Sequence, residues 1–464
     1  MKTQPFTRGL LALSLVCLLS ACAPQAASTA SSGESSVSYV AQEQNLAQRA
    51  QDYLTDFQAG EFESIFQGAR QDFVSNYTSE ELQSSWDTCQ ASARALQSQA
   101  EPVVTALEEG WMVELDCVHA RYQLCTDFTF DQDSQLSEVA FSLEPLHVEP
   151  EEGESWYEVP LTLGYDSEKP LNGMLTLPRD VEAPPVVILV QGSGANSMDS
   201  LIGASNNRFF ADLAHGLAQQ GVAVIRYDKR SYAYPDDVVD IQTEYLYDVS
   251  AAVDFALEDS RVNGEQLYLI GHSQGGMLAP KLVEDNPEFK GFVSMGGTLR
   301  RMEDLILEQN RVMNAQNSAL TPGERDAANQ AIDALVEQIR ALDADAQAEP
   351  DVLLYGYPET YWQSLNAIDS MALAQELSAE GYPMLILQGI NDFQVSYDVD
   401  YALWQQTVQE DPNATCIAYE GLSHVFMPGT PEFDGTVYDP PAHVEPAVIR
   451  DIADWVHQQT DDEV

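Results

Sequence analysis

The sequence predicts an α/β protein: a doubly wound, eight-stranded, mostly parallel sheet with a helical cap, preceded by a small α+β domain. Three observations lead there. From Glu158 onward, short apolar runs alternate with helical patterns, as strand–helix–strand crossovers require. Before Pro150 the order is different, helices first and strand-like runs afterwards. Between the two halves of the crossover region stands Gly271-His272-Ser273-Gln274-Gly275-Gly276, directly after the apolar run Leu267–Ile270. A serine flanked by glycines at minus two and plus two fits a strained strand-to-helix elbow, where larger side chains would collide with the neighbouring strand and helix.

Taken in order, residues 1–21 form a leader with Lys2 and Arg8 near its start, an apolar stretch from Leu10 to Leu19 and small residues before Cys22. The apolar stretch is shorter than the ~20 residues a membrane-spanning helix needs, so a cleaved signal is favoured over an anchor. Residues 22–43, rich in Ser and Ala, are expected to be a flexible tether. The small α+β domain, residues 44–150, is predicted from helical patterns at Ala47–Phe57 and Ser79–Gln97. Strand-like runs follow at 103–107, 111–115, 122–130 and 138–143. Helices backed by a curved antiparallel sheet suggest a cystatin- or NTF2-like unit, for spacing, substrate approach or dimerisation.

Residues 151–464 carry the parallel sheet. Val159–Tyr165 and Gly173–Leu177 form a leading hairpin. Strands are expected at Val186–Gln191, Val222–Tyr227, Leu267–Ile270, Gly291–Met295, Pro383–Gln388 and Thr415–Tyr419. Helices fall between them near 208–219, 246–257 and 275–284, with others at 397–408 and 448–457. Between about 298 and 373 the alternation breaks into charged helices, Met302–Gln316 and Thr321–Leu342. They are expected to be a cap over the site; a merely decorative insertion is the alternative.

The elbow makes Ser273 the candidate nucleophile, and a serine hydroxyl, protonated at neutral pH, needs a base. Of seven histidines, His424 in Gly421-Leu422-Ser423-His424-Val425-Phe426 is the one that follows a late strand on a loop able to fold back over the sheet edge. His119 and His147 precede the elbow, His215 and His457 lie in helical patterns, and His443 stands near the C-terminus. His272 occupies the elbow's own variable position. An elbow serine is followed along the chain first by its acid and then by its histidine. Asp392, in the turn after the strand Pro383–Gln388, is therefore the expected acid, with Asp398 and Asp400 in reserve. Two backbone donors for the oxyanion are expected, the N–H of Gln274 and that of Ser193 in Gly192-Ser193-Gly194. A dinucleotide fingerprint is not met there, since the third glycine is missing. Asp228, beside Lys229 and Arg230, is expected to be a paired structural carboxylate.

These motifs carry a resemblance. Val190–Gly194, Tyr227-Asp228-Lys229-Arg230, the elbow, Tyr361-Trp362, Leu387–Val395 and Gly421–Phe426 together resemble the serine α/β-hydrolases known as bacterial esterases or dienelactone-hydrolase-like proteins, over residues 158–460. Similar proteins carry a small domain of unknown function ahead of the hydrolase. Ser231-Tyr232-Ala233 departs from the glycines usual after the Asp-Lys-Arg turn, which leaves pocket shape open. True dienelactone hydrolases use a cysteine, so Ser273 argues against that reaction. The resemblance implies carboxylic ester hydrolysis through an acyl-enzyme, with no cofactor. A peptidase or amidase acting on short peptides, or a catalytically silent tethered binder, are the alternatives.

Leu19-Ser20-Ala21-Cys22 resembles a bacterial lipobox, which implies lipidation at Cys22 and an extracytoplasmic, membrane-anchored protein. A net charge of −53 agrees with an exported body and disfavours nucleic acid or anionic lipid as a partner, leaving a small-molecule ester as the expected one. Of Cys89, Cys117, Cys125 and Cys416, the first three fall in the small domain, where one disulfide is plausible after export. No histidine–cysteine cluster has the spacing of metal ligands.

Overall fold

The computed structural model describes residues 33–164, 168–343, 346–432 and 435–461. The leader, Cys22 and the start of the tether lie outside the described residues. Gly33–Gln58 form one helix, so the later part of the expected tether is helical. Tertiary contact explains the extension: Leu46, Ala50, Leu54 and Phe57 are buried at helical spacing, and the ring of Tyr39 packs 4.8 Å from that of Trp111.

The small domain packs this helix and Ser79–Ala93 against an antiparallel sheet of β1 (Leu96–Gln99), β2 (Val103–Leu107), β3 (Gly110–His119), β4 (Tyr122–Phe130) and β5 (Leu136–Pro145). The order is β1-β3-β4-β5, with β2 also on β3. The helix predicted through Gln97 ends four residues earlier. Arg94 turns to φ 70°, and Leu96–Gln99 leave to pair with β3, exchanging helical hydrogen bonds for sheet ones. Cys89, Cys117, Cys125 and Cys416 are free thiols, so the plausible disulfide is not formed; burial pushes all four up, Cys117 to about 11 and Cys125 to about 12.

The second sheet contains β6 (Trp156–Leu163), β7 (Leu171–Pro178), β8 (Pro185–Val190), β9 (Ala223–Tyr227), β10 (Asn263–His272), β11 (Phe289–Met295), β12 (Met384–Gly389) and β13 (Ala414–Tyr419). Their order is β13-β12-β11-β10-β8-β9-β7-β6, parallel from β13 to β9 and antiparallel across β9–β7–β6. All eight fall on the apolar runs read from the sequence. β8, β9, β11 and β12 are apolar almost throughout because helices cover both faces, leaving two cores. One holds Ile188, Leu269 and Met384, the other Val187, Ile270 and Leu385.

The expected cap begins where predicted, with helix Met302–Gln316, followed by Pro322–Arg340 and Glu359–Asn366. Thr321 starts the second helix by a capping box with Glu324, and Ile332, Val336 and Ile339 bury one face. The portion built on the large sheet meets the small domain through Tyr232. Its hydroxyl donates to Arg121 O (2.8 Å) and accepts from Leu146 N–H (3.0 Å), and its ring lies 4.6 Å from that of Tyr122. The departure at Ser231-Tyr232-Ala233 is thus a domain contact.

Candidate active site

Four loops converge at the C-terminal ends of parallel strands, where crossover sheets leave room for a site. β10 runs into Ser273 and then into helix Gln274–Asp285. Ser273 sits at φ 53°, ψ −116°, a strained conformation for a residue with a Cβ, and its N–H is tied to Met295 O at 2.9 Å. The flanking glycines make this turn possible. A Cβ at Gly271 would lie 2.3 Å from Gly275 O, and one at Gly275 would lie 2.4 Å from Val190 O. The elbow expected from the sequence is therefore the backbone's own geometry.

The turn after β12 presents Asp392, 7 % exposed. Its Oδ1 accepts the backbone N–H groups of Gln394 (2.7 Å) and Val395 (2.8 Å), which fixes the plane of the carboxylate. Its Oδ2 accepts from Gln388 Nε2 (2.9 Å) and from Nδ1–H of His424 (2.7 Å). A carboxylate can only accept, so this contact puts the imidazole proton on Nδ1 and leaves Nε2 with a lone pair. His424 is 4 % exposed and stands on a tight loop closed by Ser423 N–H and Oγ to Met427 O, both at 2.9 Å.

The His272 ring lies 4.6 Å from the His424 ring, and its Nε2–H donates to His424 O at 3.0 Å. Burial, and after it the neighbouring His424, hold His272 well below the ordinary histidine range, so it serves as a neutral brace. The structure thus brings Asp392 and His424 into direct contact, and Ser273 follows His272, whose ring packs on that of His424. Among the described residues, the Ser273 hydroxyl and His424 make no hydrogen bond in this state, and such bonds often close only around a bound substrate. Of the reserve acids, Asp398 lies on the outer turn Tyr397–Tyr401. Asp400 is fully buried elsewhere: Arg300 holds both its oxygens at 2.8 Å, and it also accepts from Thr298 (2.5 Å) and Ser396 N–H (2.8 Å). It anchors the root of the cap.

The glycine loop after β8 is held by its carbonyls. Lys229 Nζ donates to Gly192 O (2.9 Å) and Gly194 O (3.1 Å), Tyr245 OH to Gly192 O (2.9 Å), and Asn196 Nδ2 to Ser193 O (3.0 Å). With those oxygens occupied the loop is held in place, and Ser193 lines the same wall as Ser273 and Gln274. Gly192 has no room for a side chain, since a Cβ there would come within 2.9 Å of Ser273 Cβ. Gln274 Oε1 accepts from Tyr361 OH (3.0 Å) and lies 3.1 Å from the Tyr245 hydroxyl oxygen, so the elbow helix is pinned to the same network.

Sequence reading missed Lys229, Tyr245 and Asn196, because their partners are backbone oxygens that no motif encodes. It also misplaced the pairing of Asp228, which accepts from Met198 N–H (2.8 Å) and is raised to about 7 by burial. Lys229 instead pairs with Glu244 (3.2 Å) and Arg230 with Asp248 (2.5 Å), because those carboxylates approach from the helical segment packed over the turn.

A cavity of about 170 Å³ opens from Ser273, with Met302, Leu305 and Ile306 of the first cap helix and Tyr357, Tyr361 and Trp362 among its walls. Gln309 Nε2 donates to Gln394 O (2.7 Å), tying the cap to the turn that carries Asp392.

The strand order and the elbow define the α/β-hydrolase fold. Residues 203–429 match the model of a family described as serine aminopeptidase, S33. The chain is 29% identical over 288 residues to Esterase EstD of Thermotoga maritima, a match covering 62% of this chain and 65% of that protein. Similar solved structures include Est1E of Butyrivibrio proteoclasticus with ferulic acid bound (18% identity, TM-score 0.41, 65% of this chain and 99% of that one). Another is the Pyrococcus furiosus esterase Pf2001 (13% identity, TM-score 0.40, 65% and 91%).

Proposed function

We propose that this protein hydrolyses carboxylic esters through an acyl-enzyme on Ser273. The observation that carries this reading is the His424–Asp392 contact of 2.7 Å beside an elbow serine. Nε2 of His424 takes the Ser273 proton as Oγ attacks the ester carbonyl, and Asp392 stabilises the imidazolium that forms. The N–H groups of Gln274 and Ser193 receive the oxyanion. Collapse expels the alcohol, which takes the proton back from His424. Water then repeats the cycle on the acyl-enzyme and releases the acid. The cavity is smaller than the ~300 Å³ at which ligand pockets usually begin, which supports a short acyl group. Similarity to Esterase EstD supports an ester as substrate.

The family description names an aminopeptidase, so hydrolysis of short peptides is the second reading. Cys22 is proposed to carry the lipid that holds the protein outside the cytoplasm, with residues 1–21 as the cleaved leader. A fluorophosphonate probe should label wild type and leave Ser273→Ala unlabelled; label independent of Ser273 would end the proposal. Turnover of p-nitrophenyl acetate above the octanoate, with aminoacyl anilides inert, is the expected pattern. Faster anilide cleavage would select the peptidase.

A further inference from the structure

In a chain with 74 acidic and 21 basic residues, a guanidinium without a carboxylate is out of place. Arg70, Arg208, Arg226, Arg230, Arg300 and Arg340 each hold one. Arg94 and Arg121 do not, nor do Arg49, Arg325 and Arg450, but Arg94 and Arg121 are the pair that share one cavity, and among the described residues their side chains make no ion pair and no hydrogen bond. They nevertheless line the same cavity. Burial, and after it the charge of Arg94, hold the Arg121 guanidinium below the usual arginine range. Two cations set side by side with no anion between them are unfavourable by Coulomb's law, and more so where water is partly excluded.

Both line a cavity of about 270 Å³ between the two domains, with Ser92 on the same side and Ala195, Ser231 and Pro235 from the hydrolase portion opposite. The Ser231 hydroxyl is buried without a hydrogen-bond partner, a polar group left unsatisfied at the same wall. Arg94 is presented from a strained backbone, φ 70° and ψ −151°, where a helix end ordinarily takes glycine. The carboxylate next along the chain, Asp236, pairs with neither arginine. The chemistry missing from this cavity is an oxyanion, which guanidinium groups bind through paired N–H donors.

We propose that Arg94 and Arg121 form an oxyanion site at the domain interface, taking the phosphate or carboxylate of a small molecule. Its occupant bridges the small domain to the loop of Ala195, two residues beyond Ser193. That loop is the same one whose carbonyls are held by Lys229 and Asn196, so binding at the interface reaches the oxyanion donors through a single short segment. The site does not depend on what Ser273 hydrolyses.

The test is calorimetric titration of the full chain with inorganic phosphate and, separately, with succinate, at ionic strength held constant with chloride. Saturable binding to one site is expected, together with a raised melting temperature. Arg94→Gln and Arg121→Gln should each weaken it by roughly tenfold, the usual effect of losing one charge-assisted hydrogen bond. Arg311→Gln, at an exposed cap arginine, should bind as wild type does. Binding of phosphate alone would identify a phosphate ester as the ligand class, and binding of succinate a carboxylate. Heat no greater than in the chloride control, or arginine variants that bind as wild type does, would overturn the site. Circular dichroism and melting of each variant separate loss of binding from loss of fold.

Discussion

Asp392 divides its two oxygens between structure and chemistry, and that division sets what its loss should do. Oδ1 is saturated by the Gln394 and Val395 N–H groups, so an amide put in its place through Asp392→Asn keeps the turn only by pointing its NH₂ at His424. The imidazole would then carry its proton on Nε2, where the base must be empty. A fall in kcat of about 10⁴-fold with little change in KM is expected on p-nitrophenyl acetate. A loss below tenfold would move the acid elsewhere. Asp400→Asn should instead act on melting temperature, since Arg300 would lose the charge both its contacts rely on. His272 makes a separate claim about pH. Folded, it stays neutral well below its ordinary range, whereas the unfolded chain protonates it below about pH 6.5. The unfolded state therefore binds more protons in that window. Stability should fall as pH drops, by up to about 1.4 kcal/mol per pH unit for this one group, and show no slope from it above pH 6.5. Urea midpoints of wild type and His272→Asn should converge between pH 6.5 and 5; parallel curves would refute a buried neutral imidazole.

At the scale of elements, the elbow stores strain that its neighbours hold in place. Ser273 at φ 53° is fixed by its N–H bond to Met295 O and by Gly271 and Gly275, which let strand and helix approach. Ser273→Gly should abolish turnover yet be more stable than Ser273→Ala by about 1 kcal/mol, because only glycine accepts that backbone without a steric penalty. Equal melting temperatures would mean the elbow is unstrained. The eight strands of the large sheet were legible because both faces are covered, so each reads as an unbroken apolar run rather than an alternating one. The cap helix Met302–Gln316 was legible from its charged pattern with Leu305 facing inward. The end of Ser79–Ala93 was not. Its continuation, Leu96–Gln99, is exposed throughout and owes its strand form to pairing with β3, a tertiary effect that local composition does not record. Tyr397–Tyr401 was likewise read as ordinary helix, and residues 242–245 fell outside the helix expected at 246–257; both segments are wide π turns, and Asp400 and Glu244 are buried there as ion-pair partners.

For the whole molecule, the meeting of the candidate residues Asp392 and His424 was legible because chain order and strand ends constrain it, and the network behind the glycine loop was not, because it is assembled from separate segments of the chain. Tyr232 illustrates the same limit: nothing in Ser231-Tyr232-Ala233 announces a hydroxyl bonded to Arg121 O and Leu146 N–H. Charge is the one global property that sequence states outright, and it bears on stability directly. At a net charge of −53 the folded body is compressed against its own repulsion. Raising sodium chloride from about 10 mM to about 1 M shortens the screening length from roughly 30 Å to roughly 3 Å, so surface repulsion is largely removed. Buried pairs such as Arg226–Glu158 and Arg230–Asp248 are shielded from that screening, and the exposed pairs that salt weakens, Arg311–Asp333 among them, contribute little to begin with. The melting temperature should therefore climb with salt across this range. A decline would mean that exposed ion pairs hold more stability than repulsion takes away, and the acidic surface would then have to be understood as a paired network rather than as uncompensated charge.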